Sequence, residues 1–131
     1  MSQDCTSTLR VRYAETDQMG FAWHGEFLAW FEVGRTDWLR ASGWTYRAME
    51  AEGLLLPVLE AHCNYRQPAR YDDELVIRTT ARPVSPLRLA FDYEVVRAEG
   101  PLVASGFTVH TTLDRRGKPV LVPERVRNLI S

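Results

Sequence analysis

Residues 26–40, EFLAWFEVGRTDWLR, set Phe27, Phe31, Gly34 and Trp38 on one face at helical spacing, and Leu28, Trp30 and Leu39 widen that apolar stripe. A helix of this length runs about 22 Å. Apolar round most of its girth, it has to be wrapped by other structure, and a curved sheet is the element that can do so.

The flanking sequence supplies that sheet. Residues 9–13 read as a short first strand, and residues 14–25 as a glycine-punctuated loop. Ser42-Gly43 stops the long helix, and Thr45 caps a second, short one that runs through Glu52 to the break at Gly53. The period then changes from 3.6 to 2: Leu59, Ala61, Cys63 and Tyr65 alternate with Glu60, His62, Asn64 and Arg66 in a second strand. A turn at Tyr71-Asp72-Asp73 leads to a third strand through Leu75, Ile77 and Thr79. Leu89, Phe91, Tyr93 and Val95 mark a fourth, ended by Glu99-Gly100-Pro101, and residues 102–113 make a fifth. Pro123, at a first helical position, opens a terminal helix through Ile130. The order predicts a single α+β domain over residues 1–131, an antiparallel curved sheet of about five strands wrapped round one long helix.

Composition narrows the function. The 131 residues are 45% hydrophobic, enough for one core, and the 25% charged fraction with a formal net charge of -1 offers no basic excess to hold a nucleic-acid backbone. A polar start over residues 1–10 and the lack of a membrane-length apolar run predict a cytoplasmic protein with no membrane insertion. Cys5 and Cys63 have neither metal-ligand spacing nor disulfide density and read as reduced thiols. No metal cluster and no glycine-rich phosphate loop is visible, so no cofactor is expected.

The segment VRYAETDQMGFAWHGEFLAWFEVGRTDWLR, residues 11–40, contains Tyr-x-x-Thr-Asp-x-x-Gly, a histidine four residues later and a Phe/Trp-rich helix. It resembles the opening of the 4-hydroxybenzoyl-CoA thioesterase-like family, which includes the acyl-CoA thioesterases associated with the Tol-Pal system. The likeness continues through LPVLEAHCNYRQPARYDDELVIRTT and covers nearly the whole chain. It implies a hotdog fold that pairs subunits edge to edge as a homo-oligomer, dimer or tetramer, with active sites at the interface. It also implies an acyl-CoA substrate, or an acyl-carrier protein in its place.

In the resembling family the aspartate of this loop is the catalytic carboxylate, which here is Asp17. It would attack the thioester carbonyl or draw a proton from water, against the plain alternative of an Asx-turn residue. Backbone N–H groups at the helix entrance, around Trp23 and His24, would polarise the carbonyl, because the first amides of a helix lack intrahelical partners. The His24 imidazole either assists catalysis or supports the loop. Gly20 and Phe21 of the same loop are candidate substrate-binding residues. Tyr13, Phe21, Trp23, Phe27 and Trp30 could line an acyl pocket, with Tyr13 and Trp23, flanking the loop, the better candidates and Phe27 and Trp30 reading as core. Glu32 is either half of a helix salt bridge with Arg35 or an acyl-pocket contact, since the resembling branch has an acid there. Val58, Leu59 and Glu60 would reach the site from the partner subunit. Arg82 and Arg88, on either side of residues 83–87, are candidates for coenzyme A phosphates or plain surface arginines.

Three other functions compete. A dehydratase or hydratase would use His24 with Glu32 for proton transfer at carbon. A non-catalytic acyl-CoA binding module would use the fold alone. A cysteine hydrolase would pair Cys63 with His62, which neighbouring strand positions direct to opposite faces.

Overall fold

The computed structural model describes residues 4–130; residues 1–3, at the head of the polar start, and residue 131 lie outside the described residues. In chain order the elements are β1 (Asp4–Arg10), a 3-10 turn at Tyr13–Glu15, α1 (Glu26–Ala41), α2 (Tyr46–Ala51), β2 (Val58–Tyr65), β3 (Glu74–Ser85), β4 (Arg88–Arg97), β5 (Leu102–Thr111) and α3 (Glu124–Ile130). The strands form one antiparallel sheet in the order β1-β3-β4-β5-β2.

That order leaves β1 and β2 at opposite edges, about 19 Å apart at ordinary strand spacing. Helix α1, roughly 10 Å wide, touches both edges as well as β3 and β4. The sheet therefore curls round it. Phe27, Trp30, Phe31, Gly34, Trp38 and Leu39 form the buried face of α1. Phe31 stacks on Tyr93 of β4 with centroids 4.2 Å apart, and Trp38 meets Phe91 edge-on at 5.6 Å. Each such large side chain contributes about 1.5–3 kcal/mol on full burial. Two glycines permit this closeness. A Cβ on Gly34 would stand 2.3 Å from Thr79 Oγ1 of β3, and one on Gly106 of β5 would stand 2.1 Å from the His62 carbonyl oxygen and 2.8 Å from the Phe31 ring.

Several expected boundaries move. The first strand lies at Asp4–Arg10 rather than residues 9–13, and its alternation runs through small or polar Cys5 and Ser7 before Leu9. Tyr13 belongs to the turn, because the Glu15 carboxylate accepts from the Arg12 amide at 2.7 Å and bends the chain there. Leu28 does not join the buried face and is 42% exposed. On β2 the alternation slips: Val58 faces His110 and Glu60 faces Val109, so Leu59 sits in a bulge and stays exposed. Residues 83–85 continue β3, leaving Pro86-Leu87 as the turn into β4. Pro123 precedes α3, its carbonyl accepting from the amides of Val126 and Arg127. Thr45 caps α2 as expected, accepting from the Ala48 amide at 3.1 Å.

Candidate active site

The loop between the 3-10 turn and α1 is a small folded unit. Thr16 and Ala22 form an antiparallel bridge, the Asp17 amide donates to the Phe21 carbonyl at 2.9 Å, and the Gly20 amide donates to the Asp17 carbonyl at 3.0 Å. Gly20 has φ +87°, a left-handed conformation that side-chain-bearing residues rarely adopt, and this closes the turn. The Asp17 carboxylate accepts from the Met19 amide through Oδ1 at 2.9 Å. The Asx-turn role is thus real, and it occupies one oxygen while Oδ2 has no partner among the described residues.

Glu15 anchors the unit to the helix. Its buried carboxylate accepts from the Arg12 amide and, at 3.1 Å, from Trp30 Nε1 on α1, and its carbonyl accepts from the Trp23 amide at 2.8 Å. The Ala22 amide donates to the Ala69 carbonyl at 2.7 Å, joining the loop to the segment that follows β2.

At the entrance to α1, Gly25 is the N-cap and no side chain caps the helix. The Trp23 amide, one of the two expected polarising donors, is occupied by Glu15. The amides of His24 and Gly25 have no acceptor among the described residues, so the free donors sit one residue further along than expected. Trp23 folds its indole over the Gly25 Cα, where a Cβ would come within 2.2 Å of the ring.

Asp17, Phe21 and His24 share a cleft of ≈ 350 Å³ that Phe27, Tyr65 and residues 66–69 also line. Tyr65, missed in the sequence, comes from the end of β2, donates its hydroxyl to the His24 carbonyl at 2.8 Å and packs edge-on against Phe27 at 5.1 Å. Its one visible signal was its phase with Cys63 on the helix side of β2. Gly20 shapes the loop behind Asp17. Tyr13 and Trp23 lie outside the cleft lining, 77% and 50% exposed, with Tyr13 edge-on to Tyr71.

The remaining candidates lie elsewhere. Glu32 lines a second cavity, ≈ 500 Å³, between α1 and α2 with Arg35, Tyr46 and Arg47. It lies two helical turns, about 12 Å, from His24, so Glu32 and His24 of one chain line different cavities. The anticipated Glu32–Arg35 ion pair does not form; Asp37 and Arg40 make one on this helix, at 2.6 Å. Val58, Leu59 and Glu60 line the exposed β2 edge. Arg88 is exposed at the start of β4, and Arg82 is paired with Asp92 at 2.8 Å on the outer face. Cys63 opposes Gly106 toward the helix whereas His62 stacks on Phe107 at 5.3 Å, so they face apart, and burial raises the Cys63 thiol pKa. Among the described residues no three His, Cys, Asp or Glu side chains converge as a metal site, and no helix is long and apolar enough to cross a membrane.

Residues 11–130 match the family described as the Thioesterase-like superfamily. YneP of Bacillus subtilis is 34% identical over 86% of this chain and 82% of its own. The acyl-CoA thioester hydrolase YbgC of Escherichia coli O6:H1 is 30% identical over 90% and 89%. Among solved structures, the DHNA-CoA thioesterase from Staphylococcus aureus superposes with a TM-score of 0.86 at 32% identity, covering 90% of this chain and 80% of that one.

Proposed function

The chain belongs to the Thioesterase-like superfamily and has its hotdog fold, and from that premise we propose that it hydrolyses acyl-CoA thioesters to a free acid and coenzyme A. The observation that carries this reading is the shared cleft: Asp17, a carboxylate with one uncommitted oxygen, lines it together with His24, whose amide is unpartnered and is followed at the helix entrance by the unpartnered amide of Gly25. Those are the two things a thioester carbonyl requires, a nucleophile or base on one side and donors for the developing oxyanion on the other.

The carbonyl oxygen lies against the amides of His24 and Gly25, and Asp17 Oδ2 either attacks the carbonyl carbon or takes a proton from the attacking water. The tetrahedral intermediate collapses by breaking the C–S bond and the thiolate leaves. When Asp17 acts as base it returns to the thiolate the proton taken from water. When it attacks, water then hydrolyses the mixed anhydride to the free acid and restores Asp17, the protons released going to the thiolate and solvent. Phe21, Phe27 and Tyr65 hold the acyl end. His24, exposed at the cleft mouth, orients water or the thioester. Helix polarity favours the negative charge at this end of α1.

The assembly we propose is a homodimer, further paired into a tetramer, built on the β2 edge. Val58, Leu59 and Tyr65 are each close to half exposed along this edge strand, which is paired on one side only, and a free edge with apolar side chains is a ready pairing surface. Glu60 and its neighbours then complete the partner's site. The reduced thiols expected of Cys5 and Cys63 suit the cytoplasm. Thiol release from a panel of aromatic and aliphatic acyl-CoAs tests the activity. Asp17→Asn is expected to lower turnover by about 100-fold or more, and near-normal turnover in that variant would refute the mechanism.

A further inference from the structure

Resting on the thioesterase reading, we propose that Tyr65 is a positioning residue for carbonyl polarisation: its hydroxyl, tethered to the His24 carbonyl, holds in place the helix entrance that carries the free amides of His24, which lines the cleft, and of Gly25 next to it. The His24 carbonyl is otherwise held by the Phe27 amide at 3.3 Å, a long bond, while Tyr65 donates to it at 2.8 Å. With no side-chain cap on α1, this phenol adds a bond from the sheet to the helix opening, beside the Glu15 contacts that tie the loop to Trp23 and Trp30.

The effect reaches the donors through the peptide unit. The His24 carbonyl and the Gly25 amide belong to one planar group, so a bond accepted at the oxygen fixes the direction of the N–H. It also polarises the group, strengthening that N–H as a donor by roughly 10–30%. The phenol is well placed for the task. Its ring is held edge-on to Phe27, interplanar angle 88°, and its backbone is paired with Ala104 of β5, so the sheet positions the hydroxyl. Burial, with Cys63 beside it, pushes the hydroxyl pKa up to about 12, which keeps it a donor throughout any working pH.

Tyr65→Phe keeps the ring and removes only the tether. The expected result with benzoyl-CoA and hexanoyl-CoA is about a tenfold fall in kcat, KM within about twofold, and an unchanged Tm. Two analogues separate positioning from direct contact with the acyl group: a ketone with CH2 in place of sulfur keeps the carbonyl, and a thioether lacks it. Tyr65→Phe should weaken ketone binding and leave thioether binding intact. Equal loss for both, or kcat unchanged, would overturn the proposal. The amide NMR resonances of His24 and Gly25 should also shift in the variant whether or not the wild type turns over. Unmoved resonances reject the tether, whereas a wild type silent on every acyl-CoA, with those resonances moved, counts against the thioesterase reading alone.

Discussion

Acidification below about pH 6.5 should destabilise this protein through His110. The imidazole is on β5 with no solvent exposure. Nδ1 lies 3.2 Å from the Leu56 carbonyl, which can only accept, so Nδ1 carries the proton. Nε2 then accepts from the Thr108 hydroxyl at 2.8 Å, and Thr108 accepts from the Tyr93 hydroxyl at 2.6 Å. This chain is complete for a neutral ring; a second proton on Nε2 would face the Thr108 donor. Burial, chiefly, lowers the pKa from 6.5 to about 4, with the Arg35 charge adding to it and the Leu56 carbonyl opposing.

The unfolded chain takes up this proton near pH 6.5 and the folded protein only near pH 4. Stability is therefore fully present above pH 6.5 and is lost as pH falls through that window. At 1.36 kcal/mol per pKa unit the loss approaches roughly 3 kcal/mol, a large share of the 5–15 kcal/mol typical of a domain. Urea unfolding of wild type and His110→Gln at about pH 7.5, 6.5, 5.5 and 4.5 measures it, since carboxylate contributions are common to both proteins. The wild type should lose about 1 kcal/mol more per pH unit than the variant across the lower part of the window. Parallel curves would refute the assignment.

Gly106→Ala would drive a methyl into the His62 carbonyl and the Phe31 ring, and the expected cost is about 1–3 kcal/mol by chemical denaturation; a neutral result would mean β2 and α1 yield more easily than their packing implies. Glu15→Ala strands the buried Trp30 Nε1 and frees the Arg12 amide, at about 1–3 kcal/mol for the buried donor, and should lower kcat by loosening the Asp17 loop, read by thiol release beside a Tm measurement. Cys63→Ser should keep near-normal turnover, since the thiol faces away from His62 and burial keeps its pKa high; a large loss of kcat would reopen the cysteine mechanism.

Much of this fold was legible in local pattern. Helix α1 was visible because an apolar repeat over 16 residues needs no distant partner to declare itself, and β4 because it is central, with Leu89, Phe91, Tyr93 and Val95 all buried. The turn around Asp17 was equally local, closed by Gly20 within four residues. Edge strands were harder to read: β1 carries little apolar signal because one side is unpaired, and the β2 alternation broke where a bulge, a property of pairing with β5, put Leu59 out of phase. The donor geometry was beyond sequence altogether. That the Trp23 amide is consumed by Glu15 depends on how the loop folds back, and that Tyr65 reaches the His24 carbonyl depends on the sheet bringing together residues 41 apart. Sequence alone determined which chemical groups this protein holds and the helix they surround; tertiary structure decided which of those groups remain free to act, because a hydrogen-bond donor is available only when no other part of the folded chain has already claimed it.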